Sequence, residues 1–166
     1  MIDQSIALLN DSSVLNFISG ARVARLATAD QSGQPHNVPL CYWFDGARIY
    51  FVIDEKPKRR TGTQIKRMRN IAENPRVALV IDCYEEDWAH LAYVLIRGHA
   101  RVVDDQNEYM LALRNLRDKY SQYRGMALAP EKNLIVKIDP EHVHAWGQRF
   151  NLAQDHLAQE KFAKDK

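Results

Sequence analysis

Residues 42–53 read Tyr-Trp-Phe-Asp-Gly-Ala-Arg-Ile-Tyr-Phe-Val-Ile, and this stretch decides the fold. Two runs rich in aromatic and β-branched residues flank the pair Asp45-Gly46. A tight type I′ turn needs positive φ at both central residues, and Asp-Gly adopts it at low cost. The stretch therefore predicts a β-hairpin.

The residues before the hairpin predict two more strands. Residues 22–28 alternate polar and apolar side chains with a period of two, which is typical of a half-buried strand. Residues 36–44 form the next strand, in which Pro39 implies an edge or a bulge because proline has no N–H to donate. Three consecutive strands joined by short turns predict an antiparallel meander and disfavour a parallel α/β fold.

Helices and strands continue on both sides of this region. A short helix, broken near Asp11, is expected over 5–19. The later pattern predicts a helix over 61–74, strands over 76–84 and 88–103 with a bulge at Gly98, a helix from Asp105 to about Tyr120, and strands over 133–138 and 141–146. We therefore expect a mainly β fold: a six- to seven-stranded antiparallel barrel with flanking helices. It would form one domain over 1–147, followed by a polar, helix-prone tail over 148–166.

Composition excludes several classes of protein. The chain has 166 residues, 46% hydrophobic and 27% charged, as in ordinary soluble domains. It has no apolar run long enough to span a bilayer and no secretory signal at its start, so we expect a cytoplasmic protein without a membrane partner. The net charge of +2 argues against a dedicated nucleic-acid binder. Cys41 and Cys83 are expected to be buried, reduced thiols rather than metal ligands.

The most informative charges lie in residues 56–69, here called the basic segment. Seven of its fourteen residues are Lys or Arg, and none is acidic. Like charges this close repel one another, so a bound anion would offset them. A helix beginning at about Thr61 would add N–H groups suited to phosphate. The alternative interpretations are a solvated basic face and a surface for RNA or acidic lipid.

No other pattern predicts catalytic chemistry. His142 and His144 share one face of a strand but have no third ligand nearby in sequence, so we expect no metal site. The sequence contains no GxSxG, GxGxxG or P-loop motif. We assign no catalytic residue, and we expect an enzyme whose cofactor carries the reaction.

Several segments together resemble a known family. They are Ala24-Arg25-Leu26-Ala27-Thr28, Gly33-Gln34-Pro35-His36-Asn37-Val38-Pro39, Ile49-Tyr50-Phe51, Lys56-Pro57-Lys58-Arg59 and Arg67-Met68-Arg69-Asn70-Ile71-Ala72-Glu73-Asn74-Pro75-Arg76-Val77. Over about residues 14–147 the chain resembles the pyridoxamine-phosphate-oxidase-like split-barrel flavoproteins, and within them the branch that depends on the deazaflavin coenzyme F420. Trp146-Gly147-Gln148-Arg149 is only loosely similar to the substrate motif of the strict oxidases, so we do not expect vitamin B6 oxidation.

The resemblance implies an FMN-binding type of split barrel that forms a homodimer with cofactor sites at the subunit interface. It implies FMN or F420, which the sequence does not separate, and hydride transfer to a small-molecule substrate. The implied contacts are Lys58, Arg59, Arg67, Arg69 and Asn70 to the phosphate and ribityl chain, Asn37, Val38, Pro39, Leu40, Val52 and Asp54 to the ring, and Trp146 close to the cofactor. The rival functions are a non-catalytic flavin- or haem-binding barrel and a nucleic-acid-binding protein that uses the basic helix.

Overall fold

A computed structural model describes residues 6–54 and 65–150, and the fold over these ranges is mainly β, as predicted. The strands are β1 (Ala24–Ala29), β2 (Pro35–Leu40), β3 (Trp43–Phe44), β4 (Ile49–Val52), β5 (Arg76–Cys83), β6 (Ala92–Val102) and β7 (Ile135–Trp146). The helices are α1 (Ser12–Gly20), α2 (Lys66–Glu73) and α3 (Gln106–Lys119), with short 3-10 helices at Ile6–Asn10, Trp88–His90 and Ser121–Gly125. None of the helices in the described ranges has the length and apolar character needed to cross a bilayer.

The seven strands form one antiparallel sheet in the order β2-β1-β5-β6-β7-β4-β3. Its two edge strands, β2 and β3, are joined by Cys41 and Tyr42 alone. Such a link spans at most about 11 Å, whereas the edges of a flat seven-stranded sheet lie roughly 29 Å apart. The sheet must therefore curl, which confirms the predicted split barrel. The expected meander is wrong, because the segment 36–44 breaks after Leu40 and its halves lie at opposite edges.

The hairpin between β3 and β4 is confirmed, but its turn is displaced by one residue. Trp43 pairs with Tyr50 and Phe44 with Ile49. The N–H of Asp45 donates to the carbonyl oxygen of Arg48 (3.1 Å), which leaves Gly46 and Ala47 as the loop residues. The Asp45 carboxylate accepts hydrogen bonds from the N–H groups of Ala47 (2.8 Å) and Arg48 (2.6 Å). Gly46 has a φ of 100°, which glycine adopts without strain.

The predicted bulge at Gly98 is present in the β6–β7 ladder, where the register shifts between Arg97 and Gly98. A side chain at residue 98 would collide with the backbone oxygen of Asp139. Residues 133–138 and 141–146 were expected as separate strands. They instead belong largely to one strand, since Pro140 lies opposite Gly98 at the irregularity, where a missing N–H costs little.

Side-chain caps fix the helix starts that the sequence predicted. Asp11 caps α1 by accepting from Ser13 N–H and Val14 N–H, and Asp105 caps α3 by accepting from Glu108 N–H. Residues 88–90 were expected to begin a strand but form a 3-10 helix, because the Asp87 side chain accepts from Ala89 N–H. The strand β6 therefore begins at Ala92.

Two apolar clusters hold these elements together. The larger fills the barrel and includes Leu26, Phe51 and Ile96, all fully buried. The smaller lies between α3 and the sheet, where Leu113 and Leu116 pack with other buried side chains. Packing continues past residue 147, since the buried Phe150 meets the Phe17 ring edge-on at 5.2 Å.

One side chain holds the link between the edge strands. The Tyr120 hydroxyl accepts from Tyr42 N–H (3.0 Å), and its oxygen lies 2.8 Å from the Tyr42 carbonyl oxygen and 2.9 Å from that of Arg22. Burial raises the pKa of Tyr120 to about 12, so the hydroxyl keeps its proton for one of these carbonyls. The same side chain thus satisfies a buried N–H and a carbonyl that no strand partner reaches.

We expect Tyr120→Phe to lower the free energy of unfolding by about 1–3 kcal/mol, because it leaves the buried Tyr42 N–H without an acceptor. Urea denaturation at pH 7 measures the change. Tyr84→Phe, which removes a hydroxyl from a side chain that is 67% exposed, is the matched control and should change stability little. Equal stability of the two variants would contradict a closing role for Tyr120.

Candidate functional site

The helix α2 places part of the basic segment against the barrel. It begins at Lys66, since Ile65 has the extended backbone of an N-cap residue, and not at Thr61 as expected. Ile65, Met68 and Ile71 are buried, which fixes the orientation of the helix. Lys58 and Arg59, expected to contact a phosphate, lie outside the described residues.

Two cations of α2 have partners within this chain. Lys66 Nζ lies 2.7 Å from Asp30 Oδ2 in the turn between β1 and β2, and this interaction lowers the pKa of the Asp30 carboxyl. Arg67 lies beside Asp54, which follows β4. Burial lowers the pKa of Arg67, while the charge of Asp54 opposes that shift. The charge of the basic segment is therefore neutralised in part by Asp30, which is distant in sequence, and by Asp54, which lies two residues before the segment.

Arg67 nevertheless retains an unused donor. Its Nε is buried and has no hydrogen-bond partner among the described residues. Next to it, the Tyr123 hydroxyl donates to Asp54 Oδ2 at 3.4 Å. Burial, followed by the neighbouring Cys41 and Asp54, raises the pKa of Tyr123, which therefore stays protonated. The end of β4, the start of α2 and the turn after α3 thus meet at Arg67.

Asn70 lies one turn along α2 from Arg67 and is fully buried. Its Nδ2 donates to Thr28 Oγ1 (3.0 Å) on β1, and Thr28 pairs with His36 of β2. Asn70 Oδ1 is buried and has no donor among the described residues. The helix α2 therefore carries one unused donor, at Arg67 beside Asp54, and one unused acceptor, at Asn70 beside β1.

The residues expected at the ring occupy two environments. On the edge strand β2, Asn37 and Pro39 are exposed, whereas Val38 and Leu40 are half-buried on the other face. Val52 is buried in the cluster beneath α3, and Asp54 is half-buried beside Arg67. The structure thus brings Asp54 to Arg67, whereas Asn70 contacts Thr28 on β1, which pairs with His36 of β2 and not with Asn37.

Two expected residues lie elsewhere. Arg69 is exposed and lines a groove of about 440 Å³ between α2 and β6, together with Met68 and Arg101. Trp146 is 44% exposed and stacks on Tyr93 with ring centroids 5.8 Å apart. Trp146 lies eleven residues along β7 from Ile135, the partner of Val52, which places it roughly 35 Å away along the strand.

A second group of charges at this end of the barrel was missed from the sequence. Lys119 ends α3, and its buried Nζ lies 4.2 Å from the centre of the Tyr42 ring, with no hydrogen-bond partner among the described residues. The guanidinium of Arg22 lies 4.6 Å from the centre of the Tyr120 ring. No motif signals these pairs, because each joins residues far apart in the chain. Cys41 lies among them as a free, half-buried thiol, and Cys83 is likewise free and half-buried instead of fully buried.

Comparisons with known proteins fit this geometry. The family model described as pyridoxamine 5'-phosphate oxidase matches residues 11–147. A 5a,11a-dehydrotetracycline/5a,11a-dehydrooxytetracycline reductase from Streptomyces rimosus is 34% identical over 154 residues, which cover 91% of this chain and 92% of that protein.

Two solved structures share the fold at low sequence identity. A haem-storage protein from Vibrio cholerae superposes with a TM-score of 0.65 at 14% identity, covering 85% of this chain and 96% of that one. An FAD-binding protein from Mesorhizobium loti gives 0.58 at 21% identity, covering 79% and 87%. At these identities the two structures support the fold alone.

The environment of Lys119 predicts a pH dependence of stability. Burial, reinforced by Arg22, lowers the pKa of Lys119 to about 8 in the folded protein, against about 10.4 in an unfolded chain. Between these two pKa values the unfolded chain binds more protons than the folded protein, so the contribution of Lys119 to the free energy of unfolding rises with pH. Lys119→Met removes this contribution.

From pH 7 to pH 10 the wild type should therefore gain about 1 kcal/mol relative to Lys119→Met, a figure reduced for solvent screening of a partly exposed group. Urea denaturation of both proteins at the two pH values measures the gain. The exposed Lys132, changed to Met, is the control. A constant difference between wild type and Lys119→Met would contradict the burial of the charge.

Proposed function

Since this chain belongs to the pyridoxamine 5'-phosphate oxidase family, we propose that it is an oxidoreductase that binds FMN or F420 and transfers hydride to a small organic substrate. The name of the Streptomyces rimosus relative supports a reductase. The first substrate to test is therefore that relative's 5a,11a-dehydrotetracycline.

The observation that carries the proposal is the pair of buried, unused polar atoms on α2. Arg67 Nε is a charged donor suited to a phosphate oxygen, and Asn70 Oδ1 is an acceptor suited to a hydroxyl. A ribityl phosphate offers both partners along one chain. An unsatisfied buried polar group costs about 1–3 kcal/mol, so a ligand that satisfies both atoms gains affinity.

The donor set favours a flavin or deazaflavin over haem. A haem propionate could accept from Arg67, but an ionised propionate offers no hydrogen to Asn70 Oδ1. The bound ring would supply hydride transfer. Arg67 would hold the phosphate, and Asp54 would keep Arg67 oriented at its buried position.

We expect Arg67→Gln to weaken cofactor binding about 10- to 150-fold, which corresponds to the loss of one charge-assisted hydrogen bond. Fluorescence titration of cofactor-free protein with FMN and, separately, with F420 measures the dissociation constants and identifies the cofactor. Lys132→Gln, which changes an exposed residue in a turn outside α2, is the control.

Each result of this titration has a defined meaning. Unchanged affinity in Arg67→Gln would remove Arg67 from the phosphate site. Failure of the wild type to bind either compound, with a haem absorption band on adding haem, would replace the proposal by the haem-binding alternative. Oxidation of the reduced cofactor by the tetracycline substrate would establish turnover.

We also propose that the protein is a homodimer that pairs through the outer face of β5, β6 and β7. This face carries side chains directed away from the barrel core, among them Val80, Tyr93, Leu95 and Trp146. Val80 pairs with Leu95, and Tyr93 pairs with Trp146, so these four side chains lie together on one face, beside the polar Asp82 and His144. Large contiguous apolar patches on a protein surface usually bind a partner. The family resemblance implies cofactor sites at the subunit interface and Trp146 close to the cofactor, which fits an interface that contains Trp146.

Leu95→Asp should convert the dimer into a monomer, because it places a charge at the centre of the patch. Sedimentation velocity at micromolar concentration measures the change in mass. Leu111→Asp, at an exposed apolar residue on α3, is the matched control and should leave the dimer intact. A monomeric wild type would refute the dimer proposal.

A further inference from the structure

The solvent side of α3 carries a groove that lies apart from α2 and from the outer face of β5–β7. Its volume is about 630 Å³, which is within the usual range for small-molecule sites. Apolar residues line one part of the groove and arginines the other. A groove divided in this way favours a ligand with an apolar body and a charged head.

The apolar part is formed by two large side chains. Met110 is 50% exposed and Leu111 is 47% exposed, and they are consecutive on the helix. Below them, Leu113 turns into the core and closes the floor of the groove. Covering such a surface with an apolar group is favourable by about 25 cal/mol for each Å² removed from water.

The charged part lies toward the end of the helix. Arg114, Arg117 and Arg124 line it with one carboxylate, Asp118, which gives the lining a net charge of +2 (three positive, one negative). None of the three guanidinium groups has an ion-pair partner among the described residues. Arg117 Nε is buried and has no hydrogen-bond partner in the described part of the chain. Arg117 donates to the carbonyl oxygens of Met126 (3.5 Å) and Leu128 (3.4 Å), and Arg124 donates to those of Arg117 (3.0 Å) and Asp118 (3.5 Å). These bonds hold the two side chains but leave their positive charges without a counter-ion among the described residues.

The distance between the apolar and the charged residues of the groove sets the size of the ligand. Leu111 and Arg117 are six residues apart, or about 9 Å along the helix axis. We propose that this groove binds an amphipathic organic anion, a single-chain carboxylate whose apolar body covers Met110 and Leu111 and whose head group meets Arg114 and Arg117. A guanidinium binds a carboxylate in a planar, bidentate geometry that suits this end of the groove.

Laurate is the probe, used below its micelle concentration, and methionine methyl resonances report where it binds. The chain has four methionines, Met1, Met68, Met110 and Met126, so selective methyl labelling gives an assignable spectrum. The proposal expects a saturable shift of Met110 without a shift of Met68, which lies on α2. Binding that shifts Met68 alone would place laurate near the cofactor site and overturn the proposal.

Charge and chain length are then tested separately. The Arg114 side chain has no hydrogen bond or ion pair in the described part, and Arg114→Gln should weaken laurate binding about tenfold, whereas Lys132→Gln should not. Dodecanol, which lacks the charge, and butyrate, which lacks the apolar body, should each shift Met110 far less at equal concentration.

Equal binding of laurate by wild type and Arg114→Gln would overturn the proposal. A response only to vesicles of anionic lipid, and not to monomeric laurate, would assign the groove to a membrane surface instead.

Discussion

The fold depends on a length constraint: two residues, Cys41 and Tyr42, join strands that lie at opposite edges of a seven-stranded sheet. Strand pairing alone would allow an open sheet, but this link is too short to cross one. Closure leaves the backbone of the link without strand partners. The Tyr120 hydroxyl, which directly follows α3, takes their place by bonding to the N–H and the carbonyl oxygen of Tyr42. The helix that covers the barrel thus also completes its hydrogen bonding, and the chain on either side of the link is held at one end of the molecule.

That end of the barrel collects ionisable groups in a poorly solvated region. Asp54 follows β4, Arg67 lies in the first turn of α2, and Lys119 ends α3. Part of the charge is balanced inside the chain, as between Lys66 and Asp30. Among the groups that remain are the Arg67 Nε–H and the Asn70 amide oxygen, both buried and, like Lys119 Nζ, without hydrogen-bond partners in the described part. Unmet polar groups cost stability, and proteins concentrate such costs where a ligand relieves them.

Local signals predicted the local structure well. Asp11 and Asp105 marked helix starts, and Gly98 marked a bulge, because each effect acts within a few residues. The sequence could not reveal pairings across long separations. It showed a segment with seven basic residues and no acidic one, while Asp30 neutralises one of these cations from 36 residues away. The break between β2 and β3 was missed for the same reason, since nothing near Leu40 indicates that the next strand joins the opposite edge.

The position of Trp146 links the family resemblance to the assembly. The resemblance assigns this tryptophan and the α2 residues to one cofactor, yet within one chain roughly 35 Å of strand separates Trp146 from the level of Val52. The dimer proposed above would allow Trp146 to serve a site on a second copy. The exposed stacking of Trp146 on Tyr93, within the apolar patch of the outer face, suits such an exchange, because the same contact that buries the patch would complete the site.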